Sequence, residues 1–334
     1  MRHLFTDILD QIIEERKNGY QTLATVRWEK ALSKRSAAYF AGVCVEDIDE
    51  AALLRFFSFI RFKPNGEMYS DKYLKGILGL VKAVFRRAVL RGYIDRDPFD
   101  GDLRLPRGKV PEPTERIVDN EDLKKLLCVC QRSKLFSTLI PLLSQTGMRI
   151  GEALGLYWND VDFVKRCISV RRAVGVKYIQ LPDGRIVNDG AQICHTKTQN
   201  SLRIIPITSA TSELLFSWHG VRESDPEWRK RIEDQHNLHL VFPNRRGNLM
   251  NYNTLRESFA ELTEEENICA TFHKLRHSYA SNLIECGVDI AVISKLLGHK
   301  SITTTADTYT KIRYEPKAAA IEKLEKYMED NDLI

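Results

Sequence analysis

A short stretch, SQTGMRIGEALGL, carries an arginine and a glutamate whose spacing allows them to act together. Thr146 and Gly147 predict the end of one helix, so Arg149 lies at the start of the next. Glu152 follows three residues later on the same helical face, where the two side chains can pair. An exposed pair of this kind contributes little to stability, but the leucines and isoleucines around it predict a half-buried setting.

A second group of charged side chains lies in TFHKLRHSYASNLIECG. His273, Arg276 and His277 are spaced i, i+3 and i+4, so a helix places all three on one face. Two histidines at this spacing can bind zinc, but Lys274 stands where the metalloprotease pattern has a glutamate. An arginine between the histidines would also repel a cation, so this face is suited to an anion.

Two further segments hold candidate groups. A short apolar helix is predicted to end at Gly298 with His299 next, and Tyr309 follows ten residues later. Lys197 lies in a predicted tight turn between strands. Arginine forks pair with two phosphate oxygens at once, and such fixed positive charge stabilises a pentavalent phosphoryl transition state. The same charge eases the ionisation of a tyrosine hydroxyl, which could then be the nucleophile.

The N-terminal elements are predicted to be helical. Apolar residues at helical spacing predict a four-helix bundle within residues 1–95. The third helix is predicted over 45–62, and Ser70 or Asp71 is the predicted cap of the fourth. A proline-rich and glycine-rich segment without apolar periodicity follows, which is typical of a linker.

The second domain is predicted to open with helices, with Asn120 as an N-cap. Between about 162 and 208, short β-prone runs separated by Asp-Gly turns predict a small antiparallel sheet. Within it, 177–191 is longer than a tight hairpin needs, which indicates either an ordinary extended hairpin or a contact to DNA or a partner. Helices are predicted to return over 209–223, 252–266, 272–286 and 289–297, so the predicted fold class is mainly α with a small antiparallel β-sheet (α+β).

Composition limits the classes of protein to consider. A length of 334 residues favours two domains, and no apolar run is long enough for a transmembrane helix. The N-terminus lacks the features of a signal peptide. Seven cysteines without framework spacing predict reduced thiols in a cytosol. Residues 1–110 hold 20 Lys and Arg against 15 Asp and Glu, an excess equal to the whole net charge of +5; this suits a nucleic-acid-facing module but is also ordinary for a soluble domain.

Taken in order, these residues resemble the tyrosine recombinases, also called the phage integrase family. The resemblance is carried by the pattern R…K…H-x-L-R-H…L-G-H…T-Y and by the phrases TGMRIGEALGL and LGHKSITTTADTY. It covers roughly residues 115–312, whereas residues 1–100 match only as a four-helix domain. The resemblance implies that the catalytic residues are Arg149, Lys197, His273, Arg276, His299 and Tyr309, supported by Glu152 and His277.

The resemblance also implies a two-domain, C-shaped DNA clamp. Its expected parts are an N-terminal four-helix core-binding (SAM-like) domain over 1–97, a linker over 98–113, a catalytic domain over 114–313 and a tail helix over 314–334. Many mobile-element integrases carry a small arm-binding domain before the bundle, for which this chain starts too close. We therefore expect that it works without arm sites or that the domain was removed. The amphipathic stretch 316–329 is predicted to dock into a neighbouring protomer, or alternatively onto its own domain.

The implied reaction is DNA cleavage and rejoining through a 3′-phosphotyrosine at Tyr309. Four protomers on two double-stranded DNA sites would exchange strands through a Holliday junction, with no metal, cofactor or ATP. Accessory DNA-bending or directionality proteins are further partners that the family implies. The expected location is cytoplasmic and nucleoid-associated, away from membranes, in a bacterium or encoded by a phage or mobile element.

Two other functions fit the same fold. A sequence-specific DNA-binding protein that no longer cuts would form no covalent adduct, and a type IB topoisomerase-like enzyme would relax supercoiled DNA of any sequence. Tyr314 is a rival nucleophile, although its place shortly before Pro316 favours an anchor for the tail. Candidate DNA contacts in the bundle, where solvated helix faces explain the charges equally well, are Lys34, Arg35, Arg86, Arg87 and Arg91.

Overall fold

The computed structural model consists of two compact units, Met1–Pro111 with Tyr178–Asn188, and Glu112–Lys177 with Asp189–Ile334. Helices predominate and the strands form small sheets, so the predicted mainly α class with a small antiparallel sheet is confirmed. No helix in the described part of the chain is both long and apolar enough to cross a membrane. The domain boundaries inferred from the sequence stay a prediction. The structure describes residues 2–19, 22–101, 103–110, 117–195, 202–224, 239–299, 301–303 and 328.

In the part of the first unit that the structure describes, four α-helices bury one core. Phe5, Phe56 and Phe85 are fully buried in that core, and the removal of such large apolar side chains from water stabilises the bundle. Ser70 caps the fourth helix as predicted, because its hydroxyl accepts a hydrogen bond from the backbone N–H of Tyr73. The helices are α1 (Phe5–Asn18), α2 (Leu23–Tyr39), α3 (Glu50–Arg61) and α4 (Asp71–Leu90).

The third helix begins later than the sequence predicts. Val45–Asp47 form a separate 3-10 turn, and α3 starts only at Glu50. The carboxylate of Asp49 accepts a hydrogen bond from the backbone N–H of Ala52 at 2.7 Å. Since a capping residue must leave the helical conformation to make this bond, the prediction of one continuous helix over 45–62 was wrong.

Segments beyond the four helices complete the first unit. Phe99 packs near the rings of Phe57 and Phe85, with centroid separations of 6.1 and 5.9 Å. The backbone N–H of Lys109 donates to the carbonyl of Tyr69 at 2.8 Å. Part of the stretch predicted as linker therefore packs against the bundle.

The second unit is built around the apolar helix Phe136–Thr146 (α6), which is buried along most of its length. Its core includes the fully buried Leu139, Ile205 and Phe242. Asp119, and not Asn120 as predicted, caps the first helix, because its side chain accepts from the backbone N–H of Asp122 at 2.8 Å. The helices are α5 (Asn120–Val129), α6 (Phe136–Thr146), α7 (Ile150–Leu154), α8 (Ser209–Glu223), α9 (Tyr252–Glu265), α10 (Phe272–Glu285) and α11 (Ile290–Leu297); the last four begin and end within one residue of the predicted ranges.

The strands that the structure describes are β1 (Val161–Asp162), β2 (Cys167–Val170), β3 (Arg172–Gln180), β4 (Ile186–His195) and β5 (Arg203–Pro206). These strands form two small sheets. One has the antiparallel order β1-β2-β5, with Ile168 paired to Ile205, and the other pairs β3 with β4. Asp183 and Gly184 form the predicted turn between β3 and β4, but the second Asp-Gly, at 189–190, lies inside β4 instead of turning the chain.

Candidate active site

The turn between α6 and α7 positions the first predicted arginine. Gly147 ends α6 in the left-handed conformation, with φ of 60°, which glycine adopts without the steric cost of a Cβ. Arg149 is then the N-cap residue of α7. Its backbone N–H donates to Oε2 of Glu152 at 2.8 Å, and its Nη1 donates to Oε1 of the same carboxylate at 2.8 Å. The pair predicted from the sequence is therefore present.

Burial differs strongly between the two members of this pair. The side chain of Arg149 is 43% exposed, whereas that of Glu152 is only 4% exposed. Burial alone would raise the pKa of Glu152, but hydrogen bonds and attraction from Arg203, and then contacts with Arg149, hold that pKa below its usual range. Glu152 is therefore ionised although it is buried, and it holds the guanidinium of Arg149, whose side chain reaches the surface.

Arg203, on β5, is a component of the site that the sequence interpretation missed. Its side chain is 5% exposed. Its Nη1 and Nη2 donate to Oε1 and Oε2 of Glu152 at 3.0 and 2.7 Å. The strand pattern carried no clear signal, because apolar residues stand on both faces: Leu202 and Ile204 on the exposed face, and Ile205 on the buried face that Arg203 shares.

Helix α10 supplies the second predicted arginine. Arg276 is 3% exposed. Its Nη1 donates to the carbonyl of Gly147 at 2.7 Å, and its Nη2 donates to the carbonyl of Leu297 at 2.5 Å. These bonds join the ends of α6 and α11 to the middle of α10, so one buried guanidinium aligns three elements.

The two histidines of α10 share one face, as their spacing predicts. The rings of His273 and His277 meet edge to face, with centroids 4.5 Å apart. His273 is exposed and His277 is half-buried. The pair lies on the helix that carries Arg276, which keeps these groups in one region of the second unit.

His299 follows the end of α11. Gly298 takes the left-handed conformation, with φ of 65°, and the backbone N–H of His299 donates to the carbonyl of Ser294 at 3.0 Å. Burial and then repulsion from nearby cationic groups lower the pKa of its imidazole to about 4. The groups responsible for that repulsion are Arg276, Arg149, Arg203 and His273.

Hydrogen bonds join these residues into one cluster, because Arg203 and Arg276 donate to the carbonyls of Leu296 and Leu297, just before His299. Arg149, Arg203, Arg276 and His299 come from four separate segments of the second unit, and the carboxylate of Glu152 joins the first two. Three guanidinium groups against one carboxylate leave the cluster positively charged while His299 is neutral. Such an arrangement can bind a phosphate and stabilise added negative charge on it. Lys197, Tyr309, Tyr314 and the predicted tail helix, apart from residue 328, lie outside the described residues.

Among the predicted DNA contacts of the first unit, Arg35 is half-buried and bound to the end of α3. Its Nη1 donates to the hydroxyl of Tyr69 at 2.7 Å, and its Nη2 donates to the carbonyls of Phe59 and Phe62 at 3.1 and 3.0 Å. Its guanidinium also lies 4.9 Å from the ring centroids of Phe59 and Tyr69. Arg35 therefore binds carbonyls at the C-terminal end of α3, where a cation interacts favourably with the last carbonyls of a helix.

The other four candidates divide into two kinds. Arg87 donates to both carboxylate oxygens of Glu15 at 2.8 and 2.6 Å, and Arg91 donates to a glutamine of α1 at 2.8 Å. Lys34 and Arg86 are exposed, and neither forms an ion pair with any residue that the structure describes. These last two have side chains directed to solvent and available to a partner.

Comparison with known proteins places this chain in a family. The model of the phage integrase family matches residues 116–315, which is more than half of the chain. The chain is 30% identical over 262 residues to a tyrosine recombinase XerC-like protein of Caldanaerobacter subterraneus subsp. tengcongensis, over 76% of this chain and 66% of that relative. It is 27% identical to tyrosine recombinase XerA of Thermococcus onnurineus, over 95% of this chain and 96% of the relative.

Solved structures share the fold. An integrase of transposon Tn1549 in complex with a circular intermediate DNA has a TM-score of 0.72 at 19% identity, covering 96% of this chain and 99% of that one. A lambda integrase tetramer bound to a Holliday junction has a TM-score of 0.63 at 17% identity, covering 93% and 78%. With the family match, these findings confirm the resemblance drawn from the sequence. The chain belongs to the phage integrase family and is a DNA strand-cleaving and rejoining enzyme of the tyrosine recombinase kind.

Proposed function

We propose that this chain is a site-specific DNA recombinase or integrase that acts through a 3′-phosphotyrosine at Tyr309. The observation that carries the proposal is the convergence of Arg149, Arg276 and His299 from separate segments. Arg276 donates to the carbonyl of Gly147, two residues before Arg149, and to the carbonyl of Leu297, two residues before His299. Fixed guanidinium groups stabilise the charge that develops on a phosphoryl group. Membership of the family supports DNA as the source of that phosphate.

In the proposed first step, the hydroxyl oxygen of Tyr309 attacks the phosphorus of a DNA phosphodiester. The phenolic proton of Tyr309 passes to His273, the bond from phosphorus to the 5′-oxygen breaks, and the leaving oxygen takes a proton from Lys197. In the second step, the 5′-hydroxyl of a partner strand returns a proton to Lys197 and attacks the phosphotyrosine, and the released tyrosine oxygen takes back the proton from His273. Each step exchanges one phosphoester for another, so bond energy is conserved and ATP is not required.

The other residues of the site act on the charge and protons of this exchange. Arg149 and Arg276 hold the non-bridging oxygens, each guanidinium being fixed from behind by its own hydrogen bonds. His299 donates a hydrogen bond to the phosphate while its imidazole is neutral. His273 assists proton transfer, and His277 supports its ring through their edge-to-face contact.

The proposed partner is double-stranded DNA. The Tn1549 integrase was solved with a circular intermediate DNA, and the lambda integrase as a tetramer on a Holliday junction. By extension, we infer that four copies of this chain assemble on two DNA sites and that the enzyme works on nucleoid DNA in the cytoplasm. Accessory DNA-bending or directionality proteins belong to the same proposal.

A covalent-capture experiment tests the proposed chemistry. Purified protein is incubated with a library of DNA fragments, the reaction is stopped with detergent, and DNA that stays linked to protein is recovered and sequenced. The recovered sequence is then built into a nicked suicide duplex, from which the cleaved end cannot be rejoined. We expect the native chain and a Tyr314→Phe variant to form the adduct, and Tyr309→Phe to form none.

The alternatives predict different results. A chain that binds duplex DNA but yields no adduct would be a DNA-binding protein of the same fold. Relaxation of supercoiled plasmids without sequence preference would favour a type IB topoisomerase-like activity. An adduct that survives Tyr309→Phe and is lost in Tyr314→Phe would move the nucleophile to the second tyrosine.

A further inference from the structure

Arg203 is a buried arginine of the cluster, and the proposed reaction gives it no role. Its guanidinium makes two hydrogen bonds with Glu152 and a third, from Nε, with the carbonyl of Leu296 at 2.7 Å. It therefore joins β5, α7 and the end of α11 through one planar group. A lysine or an apolar side chain of similar length could not make all three bonds in this geometry.

On one side, Arg203 is connected to Arg149 through the carboxylate of Glu152. Oε1 of Glu152 accepts from Nη1 of both arginines, at 2.8 Å from Arg149 and 3.0 Å from Arg203. Oε2 accepts from the backbone N–H of Arg149 and from Nη2 of Arg203. The bidentate bond with Arg203 sets the plane of the carboxylate, and the carboxylate sets the direction of the half-exposed Arg149 side chain.

On the other side, Arg203 is connected to His299 through the end of α11. Arg203 donates to the carbonyl of Leu296, and Arg276 donates to the next carbonyl, that of Leu297. These are the last two carbonyls of α11, and His299 follows after one glycine. Two cations at a helix C-terminus satisfy carbonyls that the helix itself leaves unpaired, so the position of the turn that carries His299 depends on both arginines.

Stability alone gives little reason for this arrangement. Removing two buried charges from water is costly, and well-packed apolar residues often replace a buried ion pair without loss. What the ion pair supplies is a fixed direction for groups at the surface. We propose that Arg203 is a positioning residue, which orients Arg149 through Glu152 and His299 through the end of α11, without touching the DNA itself. This role rests on the proposed function.

The test compares two forms of one nicked duplex, built from the DNA captured on Tyr309. One form has the natural scissile phosphate, and the other has a methylphosphonate, which lacks the negative non-bridging oxygen. We expect Arg203→Met to slow adduct formation about 100-fold on the natural duplex, the effect of a small misplacement of a catalytic group. On the methylphosphonate duplex, the rate of Arg203→Met should approach the rate of the native chain on that same duplex, because a neutral phosphonate depends less on the charge of a well-placed Arg149. On the natural duplex, the rate of Arg203→Lys should lie between the rates of the native chain and of Arg203→Met.

The matched control is Arg172→Met in the same unit. Arg172 is a largely buried arginine paired with the buried Asp160 and stacked on Tyr157, so its loss reports the cost of breaking a buried ion pair away from the cluster. A defect in Arg203→Met that is equal on both duplexes and tracks melting temperature, as in Arg172→Met, would overturn the positioning role. Full activity in Arg203→Met would also overturn it.

A second measurement needs no DNA cleavage. NMR titration of His299 in the native chain and in Arg203→Met should show an upward shift of its pKa in the variant, because one of the repelling charges is lost. An unchanged titration would contradict the placement of Arg203 beside His299. If the native chain forms no adduct at all, the proposed function fails, while this titration still decides whether Arg203 lies close enough to act on His299.

Discussion

At the scale of single residues, the site depends on a carboxylate that would be costly to bury alone. Glu152 is 4% exposed and accepts hydrogen bonds from two arginines. The attraction of those arginines outweighs the penalty of burial, which is why its pKa is lowered and not raised. Neither arginine would keep its direction without this shared acceptor.

Replacing Glu152 with glutamine should test that dependence. The amide keeps the shape but removes the charge that compensates two buried or half-buried guanidinium groups. We expect a loss of about 3 kcal/mol in the free energy of unfolding, measured by urea denaturation, as for other broken buried pairs. Glu266→Gln is the control, because the Arg132–Glu266 pair is largely exposed and its loss should cost under about 1 kcal/mol. Equal losses in the two variants would refute the prediction.

His299 gives a prediction about pH. With a folded pKa of about 4, below the ordinary value of 6.5, the folded chain binds the proton less readily than the unfolded chain. The contribution of His299 to stability is therefore complete above pH 6.5 and declines as the pH falls from 6.5 to 4. We expect His299→Gln to reduce the fall in melting temperature across this range. Titration of the native residue near 6.5 by NMR would contradict the argument.

At the scale of secondary-structure elements, the site is assembled from helix ends. Arg276 in α10 donates to Gly147, at the end of α6, and to Leu297, at the end of α11. Free carbonyls at helix C-termini are natural acceptors for buried cations. The short α7 also depends on its first turn, where the Glu152 side chain accepts the backbone N–H of Arg149.

Gly147 is the residue where this assembly is least tolerant of change. Its positive φ disfavours any Cβ, and a Cβ built there would overlap Cδ1 of Tyr279 and lie 3.0 Å from Cδ2 of Leu297. We expect Gly147→Ala to lower the free energy of unfolding by about 2 kcal/mol and to slow adduct formation, since the carbonyl that holds Arg276 would move. Urea denaturation and the suicide-duplex assay measure these effects.

Gly220 provides the control for that substitution. It lies within α8, and a Cβ at this position meets no atom of the described residues within 4 Å. Alanine there should raise stability by about 0.5 kcal/mol through helix propensity. If Gly147→Ala were as stable as Gly220→Ala, the tight packing around the α6–α7 turn would not matter.

At the scale of the whole molecule, each unit has its own hydrophobic core, and the arginines have different roles in the two units. In the second unit, buried arginines fix a site at the ends of helices. In the first unit, Arg35 closes α3 and Arg87 pairs with Glu15, while Lys34 and Arg86 face solvent. Charge on a helix surface therefore divides into residues that support the bundle and residues that can meet a phosphate backbone.

This division predicts how DNA binding depends on salt. Each phosphate contact that is removed should lower the magnitude of the slope of log K against log salt by about 0.9. We expect the double variant Lys34→Ala/Arg86→Ala to lower it by about 2 on a short duplex of arbitrary sequence, with an unchanged melting temperature. Arg87→Ala is the matched variant, and it should mainly reduce stability. Equal slopes in the native chain and the double variant would exclude both residues as DNA contacts.

Many helices of the fold and several residues of the site could be predicted from local sequence patterns. Helix caps, apolar periodicity and the motifs around Arg149, Arg276 and His299 depend on neighbours a few residues away, so their types and places were predictable. The same reasoning failed where two local signals competed. Asp49 is both a plausible residue for a first helical turn and a strong cap, and the cap broke the predicted third helix.

Only the tertiary structure decided which charged groups are partners. Arg203 lies 51 residues from Glu152 in sequence and 93 from Leu296, and no local pattern specifies a contact across such separations. The sequence left open whether Arg35 meets DNA or lies on a solvated helix face, and only the fold showed two carbonyls and two rings around it. Local geometry determines where a helix starts and which residues share a face, whereas the pairing of buried charges depends on how distant segments pack.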